Sequence, residues 1–250
     1  MLRKIILLLM LIFTLVSCQF TETMVIDDQG HGRMSLAIDL SDMMEMMGGM
    51  GEDSTMVKTD TMIAFKSILE EKKDSIAELP KEEQKRLKGM EGYIIHFTID
   101  PDHKKSVIEI VSNFKNVSEA NDLMEGLNQS GSMISGMING NTTTNKASES
   151  DAIGVVFSFK KGIFKRDAFI IDEKSHQELI DSLKGASSFM RGITYQLKYT
   201  FPAKVIKASA KDAKLSLDGK TIEIERSFLA YLKNPDVLDL EVELEKLSLE

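Results

Sequence analysis

The side chains best equipped for chemistry in this chain carry sulfur. Sixteen methionines and a single cysteine occur in 250 residues. Met43, Met44, Met46, Met47, Met50 and Met56 crowd one stretch, and Met133 and Met137 stand four apart in a later one. Thioethers are soft ligands that select Cu(I), and Met43, Met46 and Met50 would share one face of a helix. Methionine is also an adaptable apolar residue that fills cores and lines promiscuous contact surfaces. Because no His or Cys stands beside the cluster, packing or contact ranks first. Met43, Met46, Met47, Met50, Met133 and Met137 form the candidate ligand surface, and copper on Met43, Met46 and Met50 is a lesser alternative. His31, His96, His103 and His176 are scattered, so a zinc site would need ligands brought together from distant segments. They read as solvated turn residues and one strand residue. No GxSxG or HExxH occurs. The expectation is a protein that works without catalysis and without a cofactor.

The lone cysteine has a more specific setting. Arg3 and Lys4 precede the apolar run Ile5–Val16, which only Thr14 interrupts. A positive start and an apolar run of this length describe a secretory signal. The run is short of the roughly 20 residues a spanning helix needs. It ends in Leu15-Val16-Ser17-Cys18, which resembles the lipobox of bacterial lipoproteins. In that family the thiol takes a diacylglyceryl group and the signal is cut before the Cys. The resemblance implies a signal peptide over 1–17, lipid attachment at Cys18, and the membrane as a partner through that lipid. Each buried CH₂ contributes about 0.8 kcal/mol, so two or three acyl chains hold firmly where one does not. A lipidated Cys18 leaves no thiol for a disulfide, a nucleophile or a metal. The residues after it, Gln19-Phe20-Thr21-Glu22, hold one acid and no Asp next to Cys18; set beside the sorting signals of that family, the resemblance implies the periplasmic face of the outer membrane in a Gram-negative host.

Composition narrows the partners. Loss of Arg3 and Lys4 takes the formal charge from −8 to −10, which argues against nucleic acid. Aromatic content is 6% and Trp is absent, so a sugar platform of exposed rings is disfavoured. An envelope protein or an apolar ligand fits better.

The elements that would position these residues follow from periodicity. Two alternating runs flank Gln29-Gly30-His31-Gly32, two more flank Pro101-Asp102-His103-Lys104, and a third pair meets near Lys161-Gly162. Each reads as a hairpin. Residues 61–88 carry Met62, Phe65, Ile68, Leu69, Ile76, Leu79 and Leu87 at helical spacing, interrupted at Pro80. Ser118 is the expected cap of a helix after the second hairpin. Ser175 with Glu178 suggests a capping box after the third. Residues 129–150, rich in Gly, Ser, Asn and Thr, read as a flexible loop. Asp218-Gly219 marks another hairpin turn, and 236–247 alternates as a last strand. The expectation is an α+β fold: an antiparallel sheet of repeated hairpin–helix (ββα) units with helices on one face, in a single domain over 18–250.

The C-terminal third, "YTFPAKVIKASAKDAKLSLDGKTIEIERSFLAYLKNP", resembles the close of LppM-like envelope lipoproteins. The matching positions are Phe201-Pro202, Val205 and Asp218-Gly219-Lys220. Members of that family usually end in a transmembrane helix, whereas this sequence ends in a charged alternating run. The resemblance implies a secreted envelope protein and brings no catalytic residues with it. A lipid-anchored binding or scaffolding protein is the leading expectation, ahead of a periplasmic carrier or chaperone with a Met-lined apolar groove and of a Cu(I)-binding lipoprotein.

Overall fold

Period-two alternation dominates the molecule. The computed structural model describes residues 19–42, 57–121, 152–184, 190 and 192–246, except the side chains of 82, 83 and 86. The strands are β1 (Gln19–Ile26), β2 (Gly32–Asp39), β3 (Thr59–Ala64), β4 (Ile94–Asp100), β5 (Lys105–Phe114), β6 (Ile153–Lys160), β7 (Ile163–Ile170), β8 (Thr194–Thr200), β9 (Val205–Ala208), β10 (Lys214–Leu215), β11 (Thr221–Ser227) and β12 (Leu240–Leu244). The helices are α1 (Phe65–Glu71), α2 (Lys73–Ala77), α3 (Lys81–Gly89), α4 (Glu173–Ser182) and α5 (Phe228–Lys233).

The fold is α+β, but the strands form two sheets. One holds eight strands in the order β10-β11-β8-β1-β2-β5-β4-β3, and the other holds four in the order β6-β7-β12-β9. This corrects the expectation of one antiparallel sheet of repeated units. The three hairpins exist, but β6 and β7 pair in the second sheet. The first strand also takes a partner from far along the chain, since β1 pairs in parallel with β8, Gln19 opposite Thr194. Alternation reveals which face of a strand is buried and is silent on which strand lies beside it.

Other boundaries shift for local reasons. Residues 59–64 are an edge strand rather than the start of a helix, and Met62 points into solvent there. The helical spacing that includes Met62 is therefore coincidental for its first turn. Pro80 caps the start of α3, as its fixed φ allows. At α4 the cap is Asp172, whose Oδ1 accepts from the Ser175 backbone N–H at 2.7 Å; Ser175 is the recipient, not the cap. A carboxylate three residues upstream takes that amide before a hydroxyl can. Glu178 instead lies 3.8 Å from Lys174, one turn away. After β5, Asn116 accepts from the Ser118 N–H at 3.0 Å and caps a 3-10 turn, Val117–Glu119. The expected loop 129–150 lies outside the described residues.

The two sheets meet face to face. Met24, Leu197, Tyr199 and Ile222 of the large sheet share one buried cluster with Phe157, Phe164, Leu240 and Val242 of the small one. Phe164 meets both Tyr199 and Phe201 edge-on, with ring centroids 5.2 Å apart. Such pairs contribute about 0.5–1.5 kcal/mol beyond area burial. Phe65 of α1, Met90 at the end of α3 and Tyr93 just before β4 join the same cluster.

Two glycines set the geometry of the hairpins. Lys161 and Gly162 both have positive φ, 53° and 76°, the pattern of a type I′ turn that matches strand twist. Gly32 faces Phe114 across β5, and a Cβ there would overlap the Val25 carbonyl and the Phe114 ring. Gly32→Ala should therefore destabilise the protein by about 1–3 kcal/mol, as overpacking does. Thermal unfolding followed by circular dichroism checks this, and an unchanged midpoint would refute the close approach.

Candidate functional sites

The most concentrated set of ionisable groups lies between the sheets. Glu22 sits on β1 at the inward parity of Met24 and Ile26. Its register partner on β8 is Leu197, which places Tyr195 and Tyr199, two residues either side, on the same face. Arg166 occupies the corresponding inward position of β7, between Phe164 and Ala168. Its Nη2 donates to Glu22 Oε2 at 3.0 Å and its Nε to Oε1 at 3.2 Å, a two-pronged pair. Its Nη1 donates to the Leu238 carbonyl at 3.2 Å. The Tyr195 hydroxyl donates to Glu22 Oε2 at 2.7 Å, and the Tyr199 hydroxyl donates to Oε1. The guanidinium carbon stands 5.8 Å from the centre of the Tyr231 ring, within cation–π range.

Every polar atom of this cluster has a partner, and the Glu22 and Arg166 side chains are 0% exposed. Burial is the largest single effect on Arg166 and works against its charge, but the Glu22 carboxylate together with Tyr199, Tyr231 and Tyr195 outweighs it and raises the guanidinium pKa well above its ordinary value. Burial, then the Glu22 charge, pushes Tyr195 and Tyr199 well up. Burial also raises Tyr231. No solvent path reaches a reacting atom, so the cluster fastens one sheet to the other and offers no substrate site. Sequence reading missed it. The signal available was a charged residue at the inward parity of two otherwise apolar alternations, Glu22 in β1 and Arg166 in β7.

The histidines are dispersed, as their spacing suggests. His31 lies exposed in the β1–β2 turn, 3.4 Å from Asp27. His103 lies in the β4–β5 turn, 3.0 Å from Asp100, which also meets Lys58 at 2.7 Å. Lys58, then His103, hold the Asp100 carboxyl far below the usual range. His96 is flanked across three strands by Asp60 at 2.7 Å and Glu109 at 3.7 Å, so both ring nitrogens are engaged by carboxylates. His176 departs from the solvated reading. It is buried in α4, and its Nε2–H donates to the Leu232 carbonyl of α5 at 2.7 Å. Among the described residues no three His, Cys, Asp or Glu side chains are placed to hold a metal ion.

Among the described residues, besides Val25, Val57 and Met62, exposed large apolar side chains fall into two groups. On the outer side of the small sheet stand Val156, Phe169 and, just past β7, Ile171. The Phe169 ring lies over Gly154, its register partner. At the other edge of the molecule, Ile206 of β9, Leu215 of β10 and Leu217 are exposed. Cys18 and the six methionines Met43, Met46, Met47, Met50, Met133 and Met137 lie outside the described residues, so the proposed copper trio does as well.

No family model matches the chain, and no curated protein matches it. Among solved structures, the folded domain of LppM from Mycobacterium tuberculosis, determined by NMR, is similar with a TM-score of 0.43 and 6% sequence identity, over 92% of this chain and 90% of that one.

Removing one member of the buried pair leaves the other uncompensated. Arg166→Met alone should cost about 3–5 kcal/mol. Combining it with Glu22→Leu, Tyr195→Phe and Tyr199→Phe should recover most of the loss, because no buried charge or hydroxyl is then orphaned. Urea denaturation of the single and combined variants checks this, and equal losses in both would refute it. The tyrosines set an alkaline limit. Their folded pKa values lie above the ordinary 10.0, so the folded chain holds phenolic protons that the unfolded chain releases. Their contribution is complete below about pH 10 and is lost as pH rises further. Phenolate absorbance should therefore appear from these residues only as the protein unfolds. Their ionisation with the fold intact would contradict this.

Proposed function

We propose that this protein is a lipid-anchored envelope protein that acts by binding other proteins at its exposed apolar surfaces, from the periplasmic face of the outer membrane. The observation that carries this reading is the pair of apolar surfaces on opposite parts of the sandwich, Val156–Phe169–Ile171 and Ile206–Leu215–Leu217. Exposed apolar clusters of this kind mark interaction sites. The densest ionisable cluster, by contrast, is sealed between the sheets. The anchor is consistent with the start of the fold. β1 begins at Gln19, the residue after Cys18, and is held from that residue on by both β2 and β8. Consecutive Cα atoms are about 3.8 Å apart, so a lipid on Cys18 would hold the domain directly at the bilayer surface with no intervening tether. A binding surface carried this way meets its partners at a fixed height above the membrane.

The test is photo-crosslinking in the intact host. A photoreactive amino acid replaces Phe169 or Leu217, with and without Cys18→Ala. Discrete protein adducts from either position, together with fatty-acid analogue labelling that disappears in Cys18→Ala, are the expected result. Absence of adducts from both positions would overturn the binding reading, and undiminished labelling of Cys18→Ala would overturn the anchor.

A further inference from the structure

Both sheets end at the same place. β9 is the edge of the four-stranded sheet and β10 the edge of the eight-stranded one. Between them runs an open groove. Ile206 and Ala208 form one wall, Leu215 and Ile222 the other, and Lys207 and Lys211 its rim; its lining includes no carboxylate. Ile206, Leu215 and the adjacent Leu217 are 61%, 51% and 111% exposed.

Lysines outnumber acids in the chain segment that forms this groove, with Glu223 and Glu243 lying across the ladders from Lys214 and Lys207. The chain is formally −8, yet Lys204, Lys207, Lys211, Lys214 and Lys220 fall within residues 204–220. Among the described residues none of the five makes an ion pair. The two acids in the same stretch are already engaged. Asp212 takes both Nη groups of Arg226, at 2.8 and 2.9 Å. Asp218 accepts from the Ser216 hydroxyl and, at 3.0 Å, from the Lys220 N–H inside its own turn.

The protein shows what such an edge pairs with. The other side of β9 carries β12, Leu-Glu-Val-Glu-Leu, with Glu243 opposite Lys207 and Val242 opposite Ala208. β10 pairs with β11, where Glu223 lies opposite Lys214 and Ile222 opposite Leu215. In both cases a lysine-bearing strand takes an alternation of apolar residues and glutamates. The apolar set goes to the space between the sheets, and the acids go outward.

We propose that the seam between β9 and β10 docks an extended segment of a partner protein with alternating apolar and acidic residues, which adds as a further strand along β9 beyond Val205, whose own N–H is taken by the Gly219 carbonyl at 2.9 Å. Its apolar side chains enter the groove beside Ile206 and Leu215, and its carboxylates meet Lys207 and Lys211. Main-chain hydrogen bonds to the edge supply affinity, and the alternation supplies specificity. This rests on the reading of the protein as a binding module and names the partner chemistry for one of its two surfaces.

The experiment uses the full chain, extracted in detergent, and a fluorescein-labelled peptide of sequence LEVELEV, with binding read by fluorescence anisotropy. Saturable binding is expected. It should weaken at least about tenfold in Lys207→Glu/Lys211→Glu, as expected for charge-complementary contacts, and it should be lost for the peptide LKVKLKV and for LEVELEV with alternate amides N-methylated. Lys207→Glu faces Glu243 across the ladder, where like charges destabilise, so Lys207→Gln/Lys211→Gln at these exposed positions is the second variant: it should melt near the parent temperature and still bind LEVELEV more weakly than the parent. Equal binding of the N-methylated peptide overturns strand addition. Insensitivity to the charge reversal, or binding of phosphatidylglycerol vesicles in place of the peptide, overturns the peptide partner. Adducts from Phe169 or Leu217 in cells without peptide binding reject this inference alone. Loss of both rejects the binding reading with it.

Discussion

The contact between Glu22 and Arg166 is the fixed point of this architecture. Apolar side chains between stacked sheets attract one another without direction, so burial alone assigns no particular partner to any one of them. A fully buried carboxylate and guanidinium allow one arrangement. Taking the two charges out of water costs several kcal/mol each, and the pair recovers this only when every donor and acceptor is met. Here Tyr195, Tyr199 and the Leu238 carbonyl complete the set. The register of β1 on β8 and of β7 on β12 is thereby constrained together, because Leu240 lies opposite Arg166 as Leu197 lies opposite Glu22.

With its strongest electrostatic interaction spent internally, the molecule meets its surroundings through features of another kind. The outward apolar residues sit on a sheet face and at sheet edges, where backbone and side chain can both contribute to recognition. Edge strands are a hazard in solution, and natural proteins guard them with lysine and with short length. β9 spans four residues and β10 two, and both carry lysine. The same devices that discourage indiscriminate pairing set the terms on which a partner of opposite charge can pair.

Much of the fold was legible in the residues, and the reasons for what was not are physical. Hairpins at Gly30, Lys161-Gly162 and Asp218-Gly219 could be read because turn chemistry is local: Gly30, Gly162 and Gly219 each adopt a positive φ. The last strand, Leu240–Leu244, was similarly visible in its alternation. The division into two sheets was not, because it depends on partners chosen across more than a hundred residues, such as β1 with β8. The placement of Met62 on a helix failed because helical and strand spacing coincide over a single turn. Glu22 and Arg166 each sit at an inward position in their own strands; that they meet is a fact of the assembled sandwich, separated by 144 positions in sequence.

The parallel pairing of β1 with β8 has a consequence in time. β1 lies inside the large sheet, with β2 on one side and β8 on the other, and β8 ends only at Thr200. Contacts between residues so far apart close slowly, because the intervening chain must be ordered before they stabilise anything. A chain emerging from its N-terminus therefore carries its first strand without the second of its two neighbours until four-fifths of the sequence has appeared. Arg166 appears before β8 does, but Tyr195 and Tyr199 come with β8 itself, so the partners of Glu22 are complete only at the end of that interval. β1, the earliest strand in the chain order, is therefore among the last to gain both of its neighbours.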